Sequence, residues 1–392
     1  MKRNLAALGL AALLGAASAP ATAASPATTL PADSNVLFWS QDVRDLAFQS
    51  MERVPGASFN VIAAGGTPSA LPQGAKLDLG LDLDDYMASQ RHAGLLILVD
   101  GKIRTERYAL GFGPDKRWTS FSVAKSFTST LVGAAIKDGA IGSLDDQVTR
   151  YIPQLASSGY DGVTVEQLLT MTSGVRWNEN YADPDSDVAR FNRQTPVAGE
   201  DLTVSYMKTL PREAEPGTRW RYNTGETNLI GVLVSNATGK TLSAYLSEKV
   251  WQPYGMEQDA IWLLGATDHE ISGCCISASL RDYARFGQFL MDGGRINGQS
   301  ILPEGWMQRA TAKHADIGIA GRGYGYQWWT YDNGSYAAQG IFGQGIFIDP
   351  TRKLVIVSNG NWPKATDAET LGEPRQAFYR AVQAAVDRDR SR

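Results

Sequence analysis

Hydrophobic and polar positions along this chain predict strands near both ends and helices between them. Residues 95–99 form a continuous apolar run, and Asp100-Gly101 separates this run from residues 102–109, which predicts a β-hairpin. Apolar residues recur at helical spacing over residues 122–138, and Gly139 follows as a stop signal. Further helices are predicted at 227–237, 242–250, 280–292 and 374–388, and strands at 345–349 and 353–358. The pattern indicates one domain whose sheet pairs N-terminal with C-terminal strands.

Two segments carry no regular pattern. Residues 24–80 mix polar and apolar positions with several prolines, so we predict an extended leader that runs over the surface. Residues 177–200 are polar and rich in Asp and Asn, which predicts a long loop. Between them, Thr164 and Gln167 form a capping box that predicts the start of a helix.

Residues 1–23 have the three parts of a secretory signal peptide. Lys2 and Arg3 give a positive start, residues 5–17 are apolar, and Ala21-Thr22-Ala23 supplies a cleavage pattern, with Ala17-Ser18-Ala19 as a rival. The apolar part is shorter than the ~20 residues that cross a bilayer, which disfavours an anchor helix. We therefore expect the signal peptide to be removed and the mature protein to be periplasmic or secreted.

Composition narrows the class of protein. The 392 residues are 43% hydrophobic and 20% charged, as in a soluble globular protein. A net charge of −4 offers no basic surface for nucleic acid, and we expect no membrane association after signal cleavage. Three histidines leave little material for a metal cluster, so we predict no metal and no cofactor. The oligomeric state stays open.

The only two cysteines, Cys274 and Cys275, are adjacent. A disulfide between neighbours strains the ring that it closes, so we expect two small buried thiols rather than a bonded or redox pair.

Ser122-Val123-Ala124-Lys125 is the candidate reactive motif. On a helix, a residue three positions on shares the same face, so the Lys125 amine can reach the Ser122 hydroxyl. The predicted helix start also offers backbone N–H groups to a developing oxyanion. Spacing alone leaves open that Ser122 is a helix cap and Lys125 a solvated lysine. A second copy of the pattern, Ser205 to Lys208, lacks this context.

Tyr222 is a third candidate, since it follows Arg219 and Arg221 and a tyrosine beside cations can hold a lowered pKa. The alternative is a half-buried aromatic residue at a loop-to-helix junction.

No Gly-x-Ser-x-Gly, His-Glu-x-x-His or P-loop motif is present in the sequence, which disfavours α/β-hydrolases, zinc proteases and nucleotide enzymes.

An ordered series of motifs resembles the serine hydrolases of the class C β-lactamase and penicillin-binding-protein superfamily. Within it, the chain is most similar to the 6-aminohexanoate-dimer hydrolases, which are nylon-oligomer amidases, and to family VIII carboxylesterases. The motifs, in chain order, are Phe121-Ser-Val-Ala-Lys-Ser126, Asp138-Gly-Ala-Ile-Gly-Ser-Leu-Asp145, Tyr151-Ile-Pro-Gln-Leu155, Tyr160-Asp-Gly162, Trp177-Asn-Glu-Asn-Tyr-Ala-Asp-Pro184, Tyr222-Asn-Thr224, Arg281-Asp-Tyr-Ala-Arg-Phe-Gly287, Gln327-Trp-Trp329 and the run from Gly340 to Pro350.

The resemblance implies an α/β (α+β) fold over residues 81–392, with a mixed, mainly antiparallel sheet flanked by terminal helices and an all-helical lobe. It implies that Ser122 is the nucleophile, Lys125 its base and Tyr222 the residue that relays the proton to the leaving group. The backbone N–H groups of Ser122 and Ile341 would form the oxyanion hole.

Three further residues are assigned to substrate binding by the same resemblance: Tyr181, Thr224 and Gly340. The implied activity is cleavage of small-molecule amides or esters through an acyl-enzyme.

The sequence also departs from the family pattern. The strand that carries Lys-Thr-Gly in β-lactamases reads Gly340-Ile-Phe-Gly343 here, so the cation that holds the β-lactam carboxylate is missing. An acidic residue linked to nylon-dimer cleavage aligns near Asn192, which is neutral.

Two other functions stay open at this point. One is a β-lactamase-like DD-peptidase or D-amino-acid amidase that acts on cell-wall peptides. The other is a non-enzymatic penicillin-binding-like module.

Overall fold

The computed structural model of this protein describes residues 29–33 and 35–391. The predicted signal peptide and its cleavage site lie outside the described residues. The helices are α1 Gln41–Ala47, α2 Leu83–Ser89, α3 Ala124–Lys137, α4 Val165–Leu169, α5 Asp187–Arg193, α6 Leu202–Met207, α7 Thr224–Thr238, α8 Leu242–Leu246, α9 Gln252–Tyr254, α10 Leu280–Met291, α11 Trp306–Ala310 and α12 Glu373–Arg390. The strands are β1 Phe59–Ile62, β2 His92–Val99, β3 Lys102–Tyr108, β4 Trp118–Thr119, β5 Ala260–Leu263, β6 Ile276–Ala278, β7 Arg295–Ile296, β8 Gln299–Ser300, β9 Arg322–Tyr324, β10 Trp329–Tyr331, β11 Tyr336–Gln339, β12 Gly345–Asp349 and β13 Leu354–Gly360.

Seven strands form the main sheet in the order β3-β2-β13-β12-β11-β10-β9, and each neighbouring pair is antiparallel. β2 pairs with β13 along its length, with Leu96 opposite Val357 and Val99 opposite Leu354. The predicted pairing of N-terminal with C-terminal strands is therefore confirmed.

Both faces of this sheet are covered by helices, which explains the continuous apolar run in β2. Leu95 and Ile97 belong to a cluster with α12, whereas Leu96 and Leu98 belong to the main core, which contains the apolar residues of α10. Every residue of β2 is buried. A strand that is buried on both faces needs apolar side chains at successive positions rather than at alternate ones.

The predicted hairpin between β2 and β3 is confirmed. Asp100 and Gly101 have φ angles of 51° and 71°, so both central residues of the turn lie in the left-handed region. This geometry is typical of a two-residue turn whose twist matches that of the flanking strands.

The predicted helices at 280–292 and 374–388 correspond to α10 and α12, and Pro374 lies in the first turn of α12.

The helical lobe is built around α3 and α7, which pack against each other. Residues 124–135 of α3 are all buried, so this helix lies in the centre of the molecule with its N-terminus near the sheet. The Thr164 capping box is present at the start of α4, with the Thr164 hydroxyl accepting from the Gln167 N–H.

The segment before residue 81 is not an extended surface leader, because it contains secondary structure and core residues. α1 lies here, and β1 pairs with β5 in a second sheet of order β1-β5-β6-β4. Phe48 and Ile62 are fully buried. Because α1 and β1 are short, their periodicity is weak, and pairing with distant residues stabilises them.

Two local expectations are wrong. The predicted loop at 177–200 contains α5, which begins after the N-cap Ser186. The structure also joins Cys274 and Cys275 by a disulfide bond between neighbours, where two thiols were expected. Cys275 has a φ of 74°, and this left-handed turn brings the two side chains together.

No helix among residues 29–33 and 35–391 is long and apolar enough to cross a membrane.

Replacing Phe48 by alanine should lower the free energy of unfolding by about 3–5 kcal/mol, since a fully buried aromatic side chain would leave a cavity. Urea denaturation followed by tryptophan fluorescence measures the change. Phe38, which is 73% exposed, gives the matched control, and Phe38→Ala should change stability by no more than about 0.5 kcal/mol. Equal losses in the two variants would contradict the assigned packing of Phe48.

Candidate active site

Ser122 lies in a 3-10 turn, Phe121–Val123, that leads directly into α3. Its side chain makes no helix-cap hydrogen bond, because the N-cap position of α3 is taken by Val123. The residue is 8% exposed and lines a cleft with a volume of about 720 Å³. Such a cleft is large enough for a small organic substrate.

Lys125 is a buried lysine in the first turn of α3, not a solvated one. It is 2% exposed, and its Nζ donates hydrogen bonds to Thr224 Oγ1 at 2.9 Å and to the Gly273 carbonyl oxygen at 2.8 Å. Burial lowers the pKa of Lys125 to about 8, while the nearby charge of Glu179 acts in the opposite direction. A fraction of this amine is therefore neutral near pH 7 to 8.

Tyr222 immediately precedes Asn223, the N-cap residue of α7. The Lys125 Nζ lies 5.3 Å from the centroid of the Tyr222 ring, and Tyr222 lines the same cleft as Ser122. Ser122 and Tyr222 therefore line the cleft, and Lys125 lies beside the Tyr222 ring but outside the cleft lining.

The expected lowering of the Tyr222 pKa is wrong. Burial, with a smaller effect of Glu179, raises the pKa of Tyr222 far above its usual value. Arg219 and Arg221, the cations that suggested the opposite shift, pair instead with Glu213. Tyr222 therefore holds its proton at neutral pH and suits the role of a proton donor.

Gly340 and Ile341 follow the end of β11 and line the cleft beside Ser122. A Cβ atom on residue 340 would lie 2.6 Å from the Ser120 carbonyl oxygen and 3.1 Å from the Ser122 nitrogen. Only glycine permits this close approach of the two chain segments, which holds the Ile341 turn next to the Ser122 turn.

Three phenylalanines support these two turns from behind. Phe121 and Phe342 have φ angles of 41° and 60°, which are strained for residues with a side chain. Their rings lie 5.4 Å apart, and the ring of Phe48 lies 5.0 Å from Phe121 and 5.4 Å from Phe342. This aromatic cluster fixes the backbone on both sides of the candidate oxyanion hole.

Glu179 is a site residue that sequence reasoning missed. Its carboxylate accepts hydrogen bonds from Trp177 Nε1, from the Tyr181 hydroxyl at 2.6 Å, and from both the N–H and the hydroxyl of Thr224. Thr224 in turn links Glu179 to Lys125. The only available signal was its place in the quoted Trp177-to-Pro184 motif, where no local pattern distinguishes it from its neighbours.

The predicted substrate-binding residues divide into two groups. Tyr181 and Gly340 line the cleft. Thr224 is absent from the cleft lining and lies behind it, between Lys125 and Glu179. Asn192 is exposed on α5 and also lies away from the cleft lining.

Comparison with known proteins agrees with the motifs. The Beta-lactamase family model matches residues 82–378, a range that contains all the candidate catalytic residues. The 6-aminohexanoate-dimer hydrolase of Paenarthrobacter ureafaciens is 31% identical over 298 residues, which cover 72% of this chain and 76% of that protein.

Solved structures confirm the predicted fold. A Bacillus anthracis structure assigned as a 6-aminohexanoate-dimer hydrolase superposes with a TM-score of 0.79 at 23% identity, over 92% of this chain and 99% of that one. A family VIII carboxylesterase superposes with a TM-score of 0.60 at 18% identity, over 79% of this chain and 99% of that one.

Replacing Glu179 by glutamine should lower the pKa of Lys125 below about 8, because the negative charge that favours the ammonium form would be lost. Selective ¹³C labelling of lysine Cε and titration by NMR measures this pKa directly. Asp185→Asn removes a charge from an exposed position of the same loop and should leave the Lys125 pKa unchanged. An unchanged or higher pKa in Glu179→Gln would show that Glu179 does not act on Lys125 as described.

Proposed function

Since this chain belongs to the Beta-lactamase family, we propose that it is a serine hydrolase that cleaves small amides or esters through an acyl-enzyme on Ser122. One observation carries the proposal: the hydroxyl of Ser122 and the protonated phenol of Tyr222 share one cleft, and the buried amine of Lys125 lies against the Tyr222 ring. The relative is a 6-aminohexanoate-dimer hydrolase by name, which supports hydrolysis as the reaction class.

In acylation, the neutral amine of Lys125 accepts the Ser122 proton as the serine oxygen attacks the carbonyl carbon of the substrate. The N–H groups of Ser122 and Ile341 stabilise the oxyanion that forms. Tyr222 gives its proton to the departing amine or alcohol, and the Lys125 ammonium returns a proton to the Tyr222 oxygen. The net result is transfer of the serine proton to the leaving group and an ester bond on Ser122.

In deacylation, water attacks the Ser122 ester and loses a proton to the same Tyr222–Lys125 pair. Ser122 then regains its proton and the carboxylic acid product leaves. Both half-reactions need Lys125 to be neutral, so the rate should rise with pH through about 8, the pKa of Lys125.

We also propose that the protein is exported. The N-terminal charge, apolar stretch and cleavage pattern support this proposal.

Ser122→Ala should abolish labelling by a fluorophosphonate probe, since the proposed nucleophile would be removed. Lys125→Ala should slow acylation by about 10²–10⁴-fold, the usual contribution of a general base. Mass spectrometry of the labelled peptide and single-turnover kinetics with a p-nitrophenyl ester measure the two effects.

The second Ser-x-x-Lys copy supplies matched controls. Lys208, the C-cap residue of α6, forms an ion pair with Glu200, so Ser205→Ala and Lys208→Ala should leave labelling and rate unchanged. An adduct outside the Ser122 peptide, or full activity in Ser122→Ala, would exclude the proposed mechanism.

Expression of the full chain in a Gram-negative host should give a periplasmic protein whose N-terminus begins just after Ala23. N-terminal sequencing of the periplasmic fraction checks this. Ala23→Arg should block cleavage because signal peptidase needs a small residue there, whereas Ala27→Arg, just beyond the site, serves as the control. Retention of uncleaved wild-type protein in the cytoplasm would refute export.

A further inference from the structure

The disulfide between Cys274 and Cys275 lies beside the candidate active site, and the proposed mechanism gives it no role. We call residues 271–275, which lead into β6, the cysteine turn. Its two cysteines are the only ones in the sequence. A reagent that reduces disulfides therefore acts on this chain at the cysteine turn alone.

The residue before the disulfide holds Lys125. The Gly273 carbonyl oxygen accepts the hydrogen bond from Lys125 Nζ at 2.8 Å, and the Gly273 N–H donates to Asn228 Oδ1 on α7 at 2.8 Å. A Cβ atom on residue 273 would lie 3.1 Å from Lys125 Nζ and 2.7 Å from Thr224 Cγ2. The cysteine turn therefore packs directly against the amine and excludes water from this side of it.

The residue after the disulfide holds the segment that leads to Ser122. The Ile276 carbonyl oxygen accepts from the Ser120 N–H at 2.7 Å, and the Ile276 N–H donates to Ser120 Oγ at 3.0 Å. Ser120 immediately precedes the turn Phe121–Val123 that carries Ser122. The two cysteines thus lie between a contact that orients the proposed base and a contact that orients the proposed nucleophile.

The backbone of Cys275 needs support from its surroundings. Its φ of 74° lies in the left-handed region, which residues with a side chain keep only when the rest of the structure holds them there. The disulfide supplies such support, because it ties the side chain of Cys275 to that of its neighbour. When the disulfide is broken, this tie is lost and Cys275 is free to return to an ordinary backbone conformation.

The disulfide is accessible from one side. Cys274 is partly exposed to solvent, whereas Cys275 is only 8% exposed. Thiol–disulfide exchange begins with attack on a single sulfur atom, and access decides which one is attacked. The Cys274 sulfur is therefore the expected point of attack.

We propose that the Cys274–Cys275 pair is a redox modification site that controls the position of Lys125, with a dithiol as its reductant. This inference rests on the proposed serine hydrolase function and adds a regulation of the same site. In the oxidised form, the cysteine turn holds the Gly273 carbonyl against the Lys125 amine. In the reduced form, the turn relaxes, water reaches the amine and acylation of Ser122 slows.

The redox step is an ordinary thiol–disulfide exchange. A thiolate of the dithiol attacks the Cys274 sulfur, forms a mixed disulfide and releases Cys275 as a thiolate. The second thiol of the reductant then attacks the mixed disulfide and releases Cys274. The reductant leaves as a cyclic disulfide, and its two electrons and two protons remain on the two cysteine thiols.

Reduction of the air-oxidised protein with dithiothreitol tests the proposal. Thiol titration in denaturant should find no free thiol before treatment and two afterwards. After removal of the reagent by anaerobic gel filtration, kcat/KM for p-nitrophenyl butyrate should be lower by about tenfold or more, part of the usual contribution of a general base. Reoxidation with diamide should restore it.

The pKa of Lys125 distinguishes an effect on the base from a general loss of structure. Burial is the main cause that lowers this pKa to about 8, so entry of water on reduction should raise it. Glu179 and Tyr222 are the ionisable side chains that face the amine, and reduction changes neither of them. Lysine NMR titration of the oxidised and reduced forms measures the shift, and the rise of kcat/KM with pH should move in the same direction.

Two double variants test whether the disulfide acts through the backbone of residue 275. Cys274→Ser/Cys275→Ser should have the low kcat/KM of the reduced protein and should not respond to dithiothreitol. Cys274→Ser/Cys275→Gly is the matched rescue, because glycine adopts a φ of 74° without a disulfide. Its kcat/KM should be close to that of the oxidised protein, again without a response to dithiothreitol.

Three results would each overturn the redox site: two free thiols in the air-oxidised protein, equal kcat/KM in the oxidised and reduced forms, or a loss that reoxidation does not reverse. Failure of the proposed function gives a different result, namely no turnover of the ester and no adduct on Ser122 in the oxidised protein. In that case the Lys125 pKa in the two forms still shows whether reduction opens the cysteine turn.

Discussion

The chemistry of the proposed site depends on the burial of one amine, the Lys125 Nζ, away from water. Burial disfavours the ammonium form, and the Thr224 hydroxyl and the Gly273 carbonyl replace its water contacts. The carboxylate of Glu179, held by Tyr181 and Thr224, limits how far the pKa falls. These partners come from the start of α7, the loop before α5 and the turn before β6, so the strength of the base depends on how separate elements pack around α3.

A second constraint is the strain in the two turns that carry the N–H groups of the proposed oxyanion hole. Left-handed backbone at Phe121 and Phe342 costs on the order of 1–3 kcal/mol at each position, and such residues persist only where the surroundings hold them. Burial of their rings against Phe48 supplies that support. Phe48 lies outside the 82–378 range that matches the family model, so part of the support for the site comes from the N-terminal segment.

Local signals explain which features the sequence could predict. The two-sided burial of β2, the Asp100-Gly101 turn and the start of α4 each depend on neighbouring residues, and the Ser122 motif carries its own spacing. Glu179 could not be found this way, because its role comes from contacts with Thr224, 45 positions along the chain. β1 could not be predicted either, because it is stabilised by pairing with the distant strand β5. The surroundings of Tyr222 were also hidden, because Arg219 and Arg221, which are close to it in sequence, form ion pairs with Glu213.

The pairing of β2 with β13 also constrains the order of folding. His92 of β2 lies opposite Gly360 of β13, so the centre of the main sheet joins residues from the two ends of the domain. During synthesis, β2 therefore remains without its partner β13 until almost the whole chain has left the ribosome. Contacts of such long sequence separation also form slowly. A chain of this topology completes its main sheet only after β13 has been synthesised and has paired with β2.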